Sequence, residues 1–509
     1  MGMVGGLTAS LVGWWFATAS FLVRGVGADV VGQIDASASG PGLRTLVVVD
    51  GPGGVGRGAY SLFLDDLERN GHVVKVAGAS DPGTVLESYG EALYDTVVLF
   101  APRSSLPAGE DQSGRGRLSV LSLLSFVDGG GNLVVAAGGD DGTVVQSTRD
   151  VVKEVANGAL VAEDGALVVD HGGKSVVRGS RDHADVVARA SATSSARAVL
   201  GEGPLAAGAP VVVRGAAMLG VVAPLEESRG TDQEVAASEV QLLSLLEVPA
   251  SAYSFRPYSS VGQGDVEVST GARDIEVALA VQTRANSRVV VLAGADVCSD
   301  RLYSVSVEGE GATGNRAFCA RLAAWTSKQV NYVRPMAVRH HREGEAVAPA
   351  MYRIKEPVVY EVDLAQWDAG AGAWVPYAAD DVQVEFRMLH PYWRLTLDDL
   401  GNGTFRTSFT TPDKYGVFKF SIRYNRPGYS RVHVEHEAPT RPFRHDEYER
   451  FIVTAYPYYA SIASMGVGFV VLGLAYLYTP LDAVPKGAGA ADAAGAAFSG
   501  KGKGKAKTS

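Results

Sequence analysis

The feature that most constrains this chain is an uncharged apolar segment near its C-terminus. Ala460–Tyr478, ASIASMGVGFVVLGLAYLY, contains no Asp, Glu, Lys or Arg. As an α-helix, its nineteen residues would extend for roughly 28 Å, which matches the hydrocarbon layer of a thin membrane. Tyrosines lie just before the segment and at its end, as in the aromatic belts of membrane helices. The segment therefore predicts one transmembrane helix, and a buried core helix is the alternative interpretation.

The residues at the two chain ends predict the orientation of this helix. The tail after Tyr478 contains five lysines and only two aspartates, which by the positive-inside rule places it in the cytoplasm. Leu11–Val23 has the length of the apolar part of a signal peptide, and small residues follow it. We therefore predict a signal peptide over residues 1–27 and a type I protein with its body on the lumenal side. An N-terminal membrane anchor is the alternative for Leu11–Val23.

The tail itself carries a further signal. Residues 479–509 are rich in Gly, Ala and Lys, and we expect them to be disordered. Lys505 and Lys507 stand fifth and third from the end, in the K-x-K-x-x pattern that returns membrane proteins to the endoplasmic reticulum. The alternative is chance, because lysine alternates with small residues throughout KGKGKAK.

The amino-acid composition indicates what kind of protein the lumenal body is. A net charge of −10 with 46% hydrophobic residues is typical of a soluble globular ectodomain and argues against nucleic-acid binding. Cys298 and Cys319 are the two cysteines, so disulfides do not form the scaffold. In an oxidising lumen they could pair once; two separate buried thiols are the alternative.

Residues 43–147 alternate between strand and helix patterns. Strands are predicted at the apolar runs beginning near Thr45, His72, Thr96 and Asn132, and helices at Tyr60–Asn70, Val85–Tyr94 and Leu118–Asp128. This β-α-β-α order predicts an α/β domain with a parallel, doubly wound sheet.

The rest of the body divides into two parts. Residues 148–333 contain apolar strands and a helix beginning at Asn315, and we predict a second α/β or α+β unit that packs on the first. Residues 334–440 lose helical patterns and read as an antiparallel β-sandwich near the membrane. Residues 441–459 form the predicted juxtamembrane segment.

A glycine pattern raises the question of a dinucleotide cofactor. Gly51, Gly53 and Gly56 form G-x-G-x-x-G between a strand and a helix. With 61 glycines in the chain, about one such pattern is expected by chance. The next strand also does not end in the carboxylate that holds a ribose, because Asp81 lies in a loop. We therefore predict a glycine-rich turn without a cofactor.

Other residues suited to chemistry form no convincing set. Asp140 and Asp141 lack a nearby histidine, while His340/His341 and His433/His436 point to opposite faces of their strands. Asp170–Lys174, DHGGK, could form a phosphate-binding nest, but we interpret it as an ordinary turn. A catalytic Ser or Cys at a strand-to-helix turn is missing from the fourth strand of the predicted sheet. We therefore predict no catalytic, metal or cofactor site.

Two sites of other kinds are predicted. Asn402 begins an N-x-T sequon in a predicted hairpin turn and could carry a glycan. Ala460, Ser464 and Gly468 repeat at intervals of four residues and form a ridge of small side chains on the predicted membrane helix. Such a ridge allows a partner helix to approach closely.

Several segments together resemble one protein family. They are SYGEALYDTVVLFAP, FVDGGGNLVVAA, PVVVRGAAML, WVPYAADDVQVEF, PDKYGVFKFSIRYNRPGYS and the most specific of them, YERFIVTAYPYYASIASM. These segments resemble the DDOST/Wbp family, in order, from about Thr45 to Tyr478. This family is the non-catalytic 48 kDa-type subunit of the eukaryotic oligosaccharyltransferase.

The resemblance implies a function and a fold. The complex of this family transfers a preassembled oligosaccharide from dolichyl diphosphate to Asn in N-x-S/T segments of nascent proteins. Catalysis belongs to a separate STT-type subunit, and ribophorin-like and DAD-type subunits are the other expected partners in the ER membrane. The family fold is a glutamine-amidotransferase-like α/β domain followed by a membrane-proximal sandwich, with no cofactor of its own.

The chain departs from the family pattern in the glycine loop, around residues 181–208 and in its tail. Family members generally lack the three glycines of the G-x-G-x-x-G pattern, which supports a turn without a cofactor. A stand-alone lumenal enzyme of amidotransferase-like or nucleotide-binding type is the main alternative function, and a cargo receptor of the ER is the third.

Overall fold

The structure is a computed structural model that describes residues 40–81, 83–107, 118–172, 177, 183–220, 240–256, 275–448 and 450–478. The strands up to the sandwich are β1 (Arg44–Val49), β2 (Val73–Gly78), β3 (Glu87–Ser88), β4 (Glu91–Ala92), β5 (Thr96–Phe100), β6 (Asn132–Gly138), β7 (Leu160–Asp170), β8 (Val186–Ala190), β9 (Val211–Val213), β10 (Ala216–Gly220), β11 (Val240–Ser244), β12 (Leu246–Glu247), β13 (Ala252–Phe255), β14 (Ile275–Glu276), β15 (Ala278–Thr283), β16 (Arg288–Gly294), β17 (Ser306–Val307) and β18 (Gly311–Ala312). The sandwich strands are β19 (Val333–Arg342), β20 (Tyr352–Arg353), β21 (Pro357–Asp368), β22 (Ala373–Pro376), β23 (Gln383–Arg387), β24 (Pro391–Thr396), β25 (Asp398–Asp399), β26 (Thr404–Thr410), β27 (Gly416–Tyr424) and β28 (Val432–Arg441). The α-helices are α1 (Ser61–Arg69), α2 (Val120–Asp128), α3 (Gln146–Val155), α4 (Ser194–Leu200), α5 (Asp300–Tyr303), α6 (Asn315–Thr326) and α7 (Tyr456–Tyr478).

A seven-stranded sheet forms the centre of the N-terminal body. Its strand order is β11-β15-β16-β6-β5-β1-β2, and the five strands from β16 to β2 are parallel. Every residue of β6 and β16 is buried, as expected for strands with both faces covered. Helix α1 packs against α6, and α2 packs against α3. The parallel α/β sheet predicted from the strand and helix pattern is therefore present.

This sheet also contains strands from the segment that the sequence assigns to a second unit. β16 pairs with β6 in parallel, and β15 and β11 extend the same sheet in antiparallel fashion. The sheet thus crosses the predicted boundary between residues 147 and 148, and one continuous hydrophobic core runs through both segments. An apolar pattern indicates that a strand will be buried, but it does not indicate which other strand will pair with it.

The prediction of a helix at Val85–Tyr94 is wrong. This segment contains the short hairpin β3–β4, in which Glu87 pairs with Ala92. At the turn, Tyr89 and Gly90 have φ angles of 54° and 82°. Two consecutive residues with positive φ form the tight turn that joins paired strands and cannot continue a right-handed helix.

Two further sheets of the body have four and three strands. One has the strand order β13-β7-β10-β14, and the other has the order β12-β8-β9. Both lie in the segment predicted as the second unit, as does the two-stranded sheet β17-β18, so this segment divides its strands among four sheets. Cys298 and Cys319 form a disulfide with a Cα–Cα distance of 5.8 Å, next to the buried face of α6.

The sandwich consists of two five-stranded sheets. One contains β19-β21-β26-β25, with β22 paired to β21, and the other has the order β20-β28-β27-β23-β24. Aromatic rings fill the space between the sheets: Tyr360 stacks on Phe420 at 4.7 Å, and Phe386 stacks on Phe418 at 4.6 Å. All sandwich pairings are antiparallel except β20 with β28. The first compact unit of the chain extends to Arg441, and a second unit begins at Pro442.

Candidate functional site

Helix α7 is the most unusual surface of the second unit. Its side chains are exposed along its length, although no charged residue occurs between Tyr456 and Tyr478. At 1.5 Å per residue, its 23 residues extend for about 35 Å. The apolar stretch that could span a membrane runs from Val453 to Tyr478, and an 18-residue window within it has a mean hydropathy of 1.9. An apolar helix of this length needs apolar surroundings, and a bilayer supplies them.

The predicted ridge of small side chains lies along one face of α7. Ala460, Ser464 and Gly468 are exposed, and four-residue spacing keeps them nearly in line. The hydroxyl of Ser464 donates a hydrogen bond to the carbonyl oxygen of Ser461 at 2.8 Å. Apart from its two neighbouring residues and the backbone of its own helix, a methyl group added at Gly468 would meet no atom of the described chain within 4 Å. The ridge therefore leaves room for the backbone of another helix.

Aromatic side chains lie at both ends of the apolar stretch. They are exposed, and they are Phe451, Tyr456, Tyr458 and Tyr459 at or near its start and Tyr476 and Tyr478 at its end. Rings with a polar tip favour the boundary between lipid and water. The described helix thus has both the length and the boundaries of a membrane span.

The glycine-rich loop has a geometry unlike that of a dinucleotide site. After Gly51, whose φ is 85°, residues 52–60 form a 3₁₀-helix, and the α-helix begins only at Ser61. The first amides of α1 already have an anionic partner. The backbone N–H groups of Ser61 and Leu62 donate to the Asp300 carboxylate at 3.1 and 2.9 Å. In a dinucleotide-binding protein this position holds the pyrophosphate.

The carboxyl ends of the parallel strands, where ligands bind in many α/β proteins, are linked by the chain's own side chains. Asp50, after β1, accepts a hydrogen bond from the hydroxyl of Ser104 at 2.7 Å. Arg103 donates to Asp140 at 2.5 Å. Thr143 donates to Asp141 through both its N–H and its hydroxyl, and these bonds lower the pKa of that carboxyl. The two aspartates considered as metal ligands thus have partners within the protein.

The histidines lie in a different arrangement from that of a metal site. His340 is buried, and its Nδ1 lies 2.7 Å from the hydroxyl of Tyr352. His436 comes from another strand, and its ring centre lies 6.4 Å from that of His340. Burial lowers the pKa of both imidazoles, that of His340 to about 4. Within the described residues, no group of three or more His, Cys, Asp or Glu side chains is arranged to hold a metal ion.

Asn402 lies in the turn between β25 and β26 and is exposed. Its side-chain oxygen accepts a hydrogen bond from the N–H of Thr404 at 3.1 Å, and the hydroxyl of Thr404 donates to Asp363 at 2.8 Å. Lys505, Lys507 and the signal peptide predicted over residues 1–27 lie outside the described residues, as do Gly173 and Lys174 of the DHGGK segment.

A buried arginine that the sequence analysis missed joins the body to the sandwich. Arg288, the first residue of β16, is fully buried, and its guanidinium donates to the carbonyl oxygens of Trp325, Val330 and Asn331, each at 2.7 Å. It also donates to the hydroxyl of Ser430 at 3.0 Å and lies 5.0 Å from the centre of the Trp325 ring. Burial lowers the pKa of Arg288 to about 9, so it remains charged at neutral pH.

The loop between β27 and β28 supplies the other half of this junction. Trp325 Nε1–H donates to the carbonyl oxygen of Gly428 at 2.9 Å. The side chain of Asn286 donates to the carbonyl oxygen of Arg431 and accepts from its N–H, at 2.9 and 2.7 Å. Gln282 Nε2–H donates to the carbonyl oxygen of Tyr429. The sandwich is therefore fixed to the body through backbone groups of one loop.

Comparisons with known proteins cover nearly the whole chain. The family profile of the OST48 N-terminal domain matches residues 36–329, and that of the OST48 middle domain matches residues 340–480. A relative from Arabidopsis thaliana is 33% identical over 431 residues, which is 83% of this chain and 90% of the relative. A Caenorhabditis elegans relative is 33% identical over 456 residues, 88% of this chain and 94% of its own. A Drosophila melanogaster relative is 31% identical over 455 residues, 87% of this chain and 93% of its own. All three are named as the 48 kDa subunit of dolichyl-diphosphooligosaccharide–protein glycosyltransferase.

Proposed function

This chain belongs to the OST48 family, and from this premise we propose that it is the structural, non-catalytic 48 kDa-type subunit of an oligosaccharyltransferase. The complex would transfer a preassembled oligosaccharide from dolichyl diphosphate to Asn in N-x-S/T segments of nascent proteins. The subunit would contribute assembly and stability to the complex.

One observation carries this proposal. The match to the OST48 middle domain extends to residue 480 and so includes the apolar helix α7 as well as the sandwich. The similarity therefore covers the part of the chain that would hold the subunit among its membrane partners. A relative that shared only the soluble body would not support a role in assembly.

The geometry of the body supports a role without catalysis. The N-terminus of α1 is occupied by the Asp300 carboxylate, and Asp50 and Asp140 are bound to Ser104 and Arg103. A catalytic acid, base or nucleophile must be able to reach a substrate. These polar groups form hydrogen bonds that join one loop to another, which is a structural role.

The proposed partners bind along α7. Close helix packing at Ala460, Ser464 and Gly468 would join this chain to an STT-type catalytic subunit, ribophorin-like subunits or a DAD-type subunit. The chain would be a single-pass type I protein of the ER, with its body in the lumen, and Lys505 and Lys507 would return it there. Replacing both lysines by alanine should allow the protein to reach later compartments, which glycan processing or microscopy would detect; unchanged ER residence would contradict this role.

Two finer structural features belong to the same proposal. The five parallel strands have the order β16-β6-β5-β1-β2, which supports a glutamine-amidotransferase-like N-terminal domain. A signal peptide cleaved near residue 27 would give the mature N-terminus. Sequencing the N-terminus of the purified protein tests the cleavage, and retention of Met1 would contradict it.

The proposed assembly is tested by substituting one glycine of the ridge. Gly468→Leu fills the space that a partner backbone would occupy, so recovery of the partner subunits in mild detergent should fall. Gly466→Leu is the matched control, because Gly466 lies on roughly the opposite face of the same helix and also has open space around it. Equal recovery with both variants, or a chain that purifies alone without any substitution, would refute the proposal.

A further inference from the structure

The two ends of the sandwich differ in their contact with the body. At one end, the loop between β27 and β28 docks into the body through Trp325, Arg288 and Asn286. β27 then runs away from this loop for nine residues, about 30 Å, to Gly416. The end of the sandwich around Gly416, which we call the distal end, is therefore the end remote from the body.

Hydrogen bonds show which segments meet at the distal end. The N–H of Ile354 donates to the carbonyl oxygen of Arg441 at 3.1 Å, and the N–H of Thr411 donates to that of Glu356 at 2.9 Å. Arg342 donates to the carbonyl oxygen of Met351 at 3.2 Å. The turn that begins at Met388 lies beside Gly416. Residues 343–356, 388–390 and 411–416 are thus gathered at this end, together with Arg441.

Exposed apolar side chains are concentrated at the distal end. Within the sandwich, all of which the structure describes, the exposed large apolar residues at this end are Val347, Met351, Leu389, Tyr415 and Val417, and those elsewhere are Trp393 and Leu400. Leu389 and Tyr415 are 80% and 69% exposed and lie in the short connections β23–β24 and β26–β27. Apolar groups gathered in this way mark an interaction surface more often than scattered ones do.

The chain leaves the sandwich at this same end. Arg441 is the last residue of β28, and the apolar stretch begins at Val453. The eleven residues between them can extend for at most about 40 Å. The short segment that leads to α7 therefore begins at the distal end.

We propose that the distal end of the sandwich touches the lumenal surface of the bilayer, with Leu389 and Tyr415 inserted among the lipid headgroups. Apolar side chains that are gathered at one end but project from separate connections suit a fluid surface, because lipids rearrange around them. Tyrosine favours the boundary between headgroups and hydrocarbon, and a buried leucine side chain adds apolar contact. The inference rests on the proposed membrane span, since that span brings the bilayer within reach.

The experiment uses the full chain in nanodiscs whose lipids carry a nitroxide quencher at the headgroup. A single cysteine is introduced by Leu389→Cys or Tyr415→Cys and labelled with an environment-sensitive fluorophore. The native cysteines are buried in a disulfide and do not react. Leu400→Cys is the matched control, because Leu400 is 54% exposed in a sandwich turn away from the distal end. Val471→Cys reports separately on the span, with quenchers placed along the lipid tails.

We expect the nitroxide to quench most of the emission at positions 389 and 415 and little at position 400. Emission at 389 and 415 as bright as at 400 would overturn the inference, as would strong quenching at all three positions. A label at 389 that is shielded only when the other subunits are present would also overturn it and would indicate a protein partner. If the label at 471 escapes the tail quenchers, the proposed span itself fails.

Discussion

Replacing Arg288 by leucine tests how the body and the sandwich are held together. The guanidinium is fully buried and donates four hydrogen bonds, three of them to main-chain carbonyl oxygens. In Arg288→Leu the carbonyl of Val330 loses its donor, while those of Trp325 and Asn331 keep the backbone N–H groups of Lys328 and Ser430 as donors. The same substitution removes the contact with the Trp325 ring.

The size of the effect follows from these contacts. A hydrogen bond to a charged group contributes about 1.5–3 kcal/mol, so loss of the four bonds of the guanidinium would remove roughly 6–12 kcal/mol. Part of this loss is offset, because leucine does not require the dehydration of a charge. We expect a net decrease of about 3–5 kcal/mol in the free energy of unfolding, a large fraction of the 5–15 kcal/mol of an ordinary domain.

The assay is denaturant unfolding of the full chain in mild detergent, followed by tryptophan fluorescence. Trp325 lies in the junction and is fully buried, so its emission reports on the loss of this contact. Arg284→Leu is the matched control, because Arg284 lies four residues away and is exposed. We expect the control to change stability by less than about 0.5 kcal/mol.

Two results would refute this reasoning. If Arg288→Leu unfolds at the same denaturant concentration as the unsubstituted chain, the buried charge costs as much as its hydrogen bonds contribute. If Arg284→Leu is equally destabilised, the effect belongs to charge at this surface and not to the buried contacts.

Three further predictions concern other described residues. Burial lowers the pKa of His340 below that of an exposed histidine, so the unfolded chain binds the proton first as the pH falls. The free energy of unfolding should therefore be retained above about pH 6.5 and decrease by roughly 3 kcal/mol by pH 4. His340→Phe should reduce this pH dependence in unfolding experiments. Cys298→Ser should lower the free energy of unfolding by about 3 kcal/mol and make it insensitive to reductant, because the disulfide closes a loop with a sequence separation of 21; a chain that responds to reductant as before would contradict the pairing. Asn402→Gln should remove a single mobility shift produced by endoglycosidase, and an unshifted parent protein would show that the sequon is not used.

Much of the architecture could be predicted because it depends on near neighbours. The apolar run that becomes α7 predicts a long apolar helix by itself, and the helix begins only four residues before the predicted start. The strands β1, β5 and β6 are short apolar runs bounded by polar residues or glycine, and they occur where the pattern places them. The alternation that predicts a sandwich after Arg334 likewise comes from side chains two residues apart.

Local patterns were insufficient where several structures share one pattern. Val85–Tyr94 has enough apolar residues for a helix, yet the left-handed backbone at Tyr89 makes it a hairpin. The apolar strands β15 and β16 would suit a second domain equally well, and only their pairing places them in the first sheet. Pairing depends on register and packing against distant strands, which a window of ten residues does not contain.

The sequence by itself determined the kind of each segment: an apolar helix of membrane length, a parallel α/β body and an antiparallel sandwich. The tertiary structure alone decided which polar groups meet. Asp300 caps α1 from 238 residues away, and Arg288 reaches Ser430 across 142 residues. Helical and strand periodicity arise from steric contacts between near neighbours, so they can be read along the chain. A buried charge finds its partners only after the core has closed, because the carbonyls that bind it are brought together by packing.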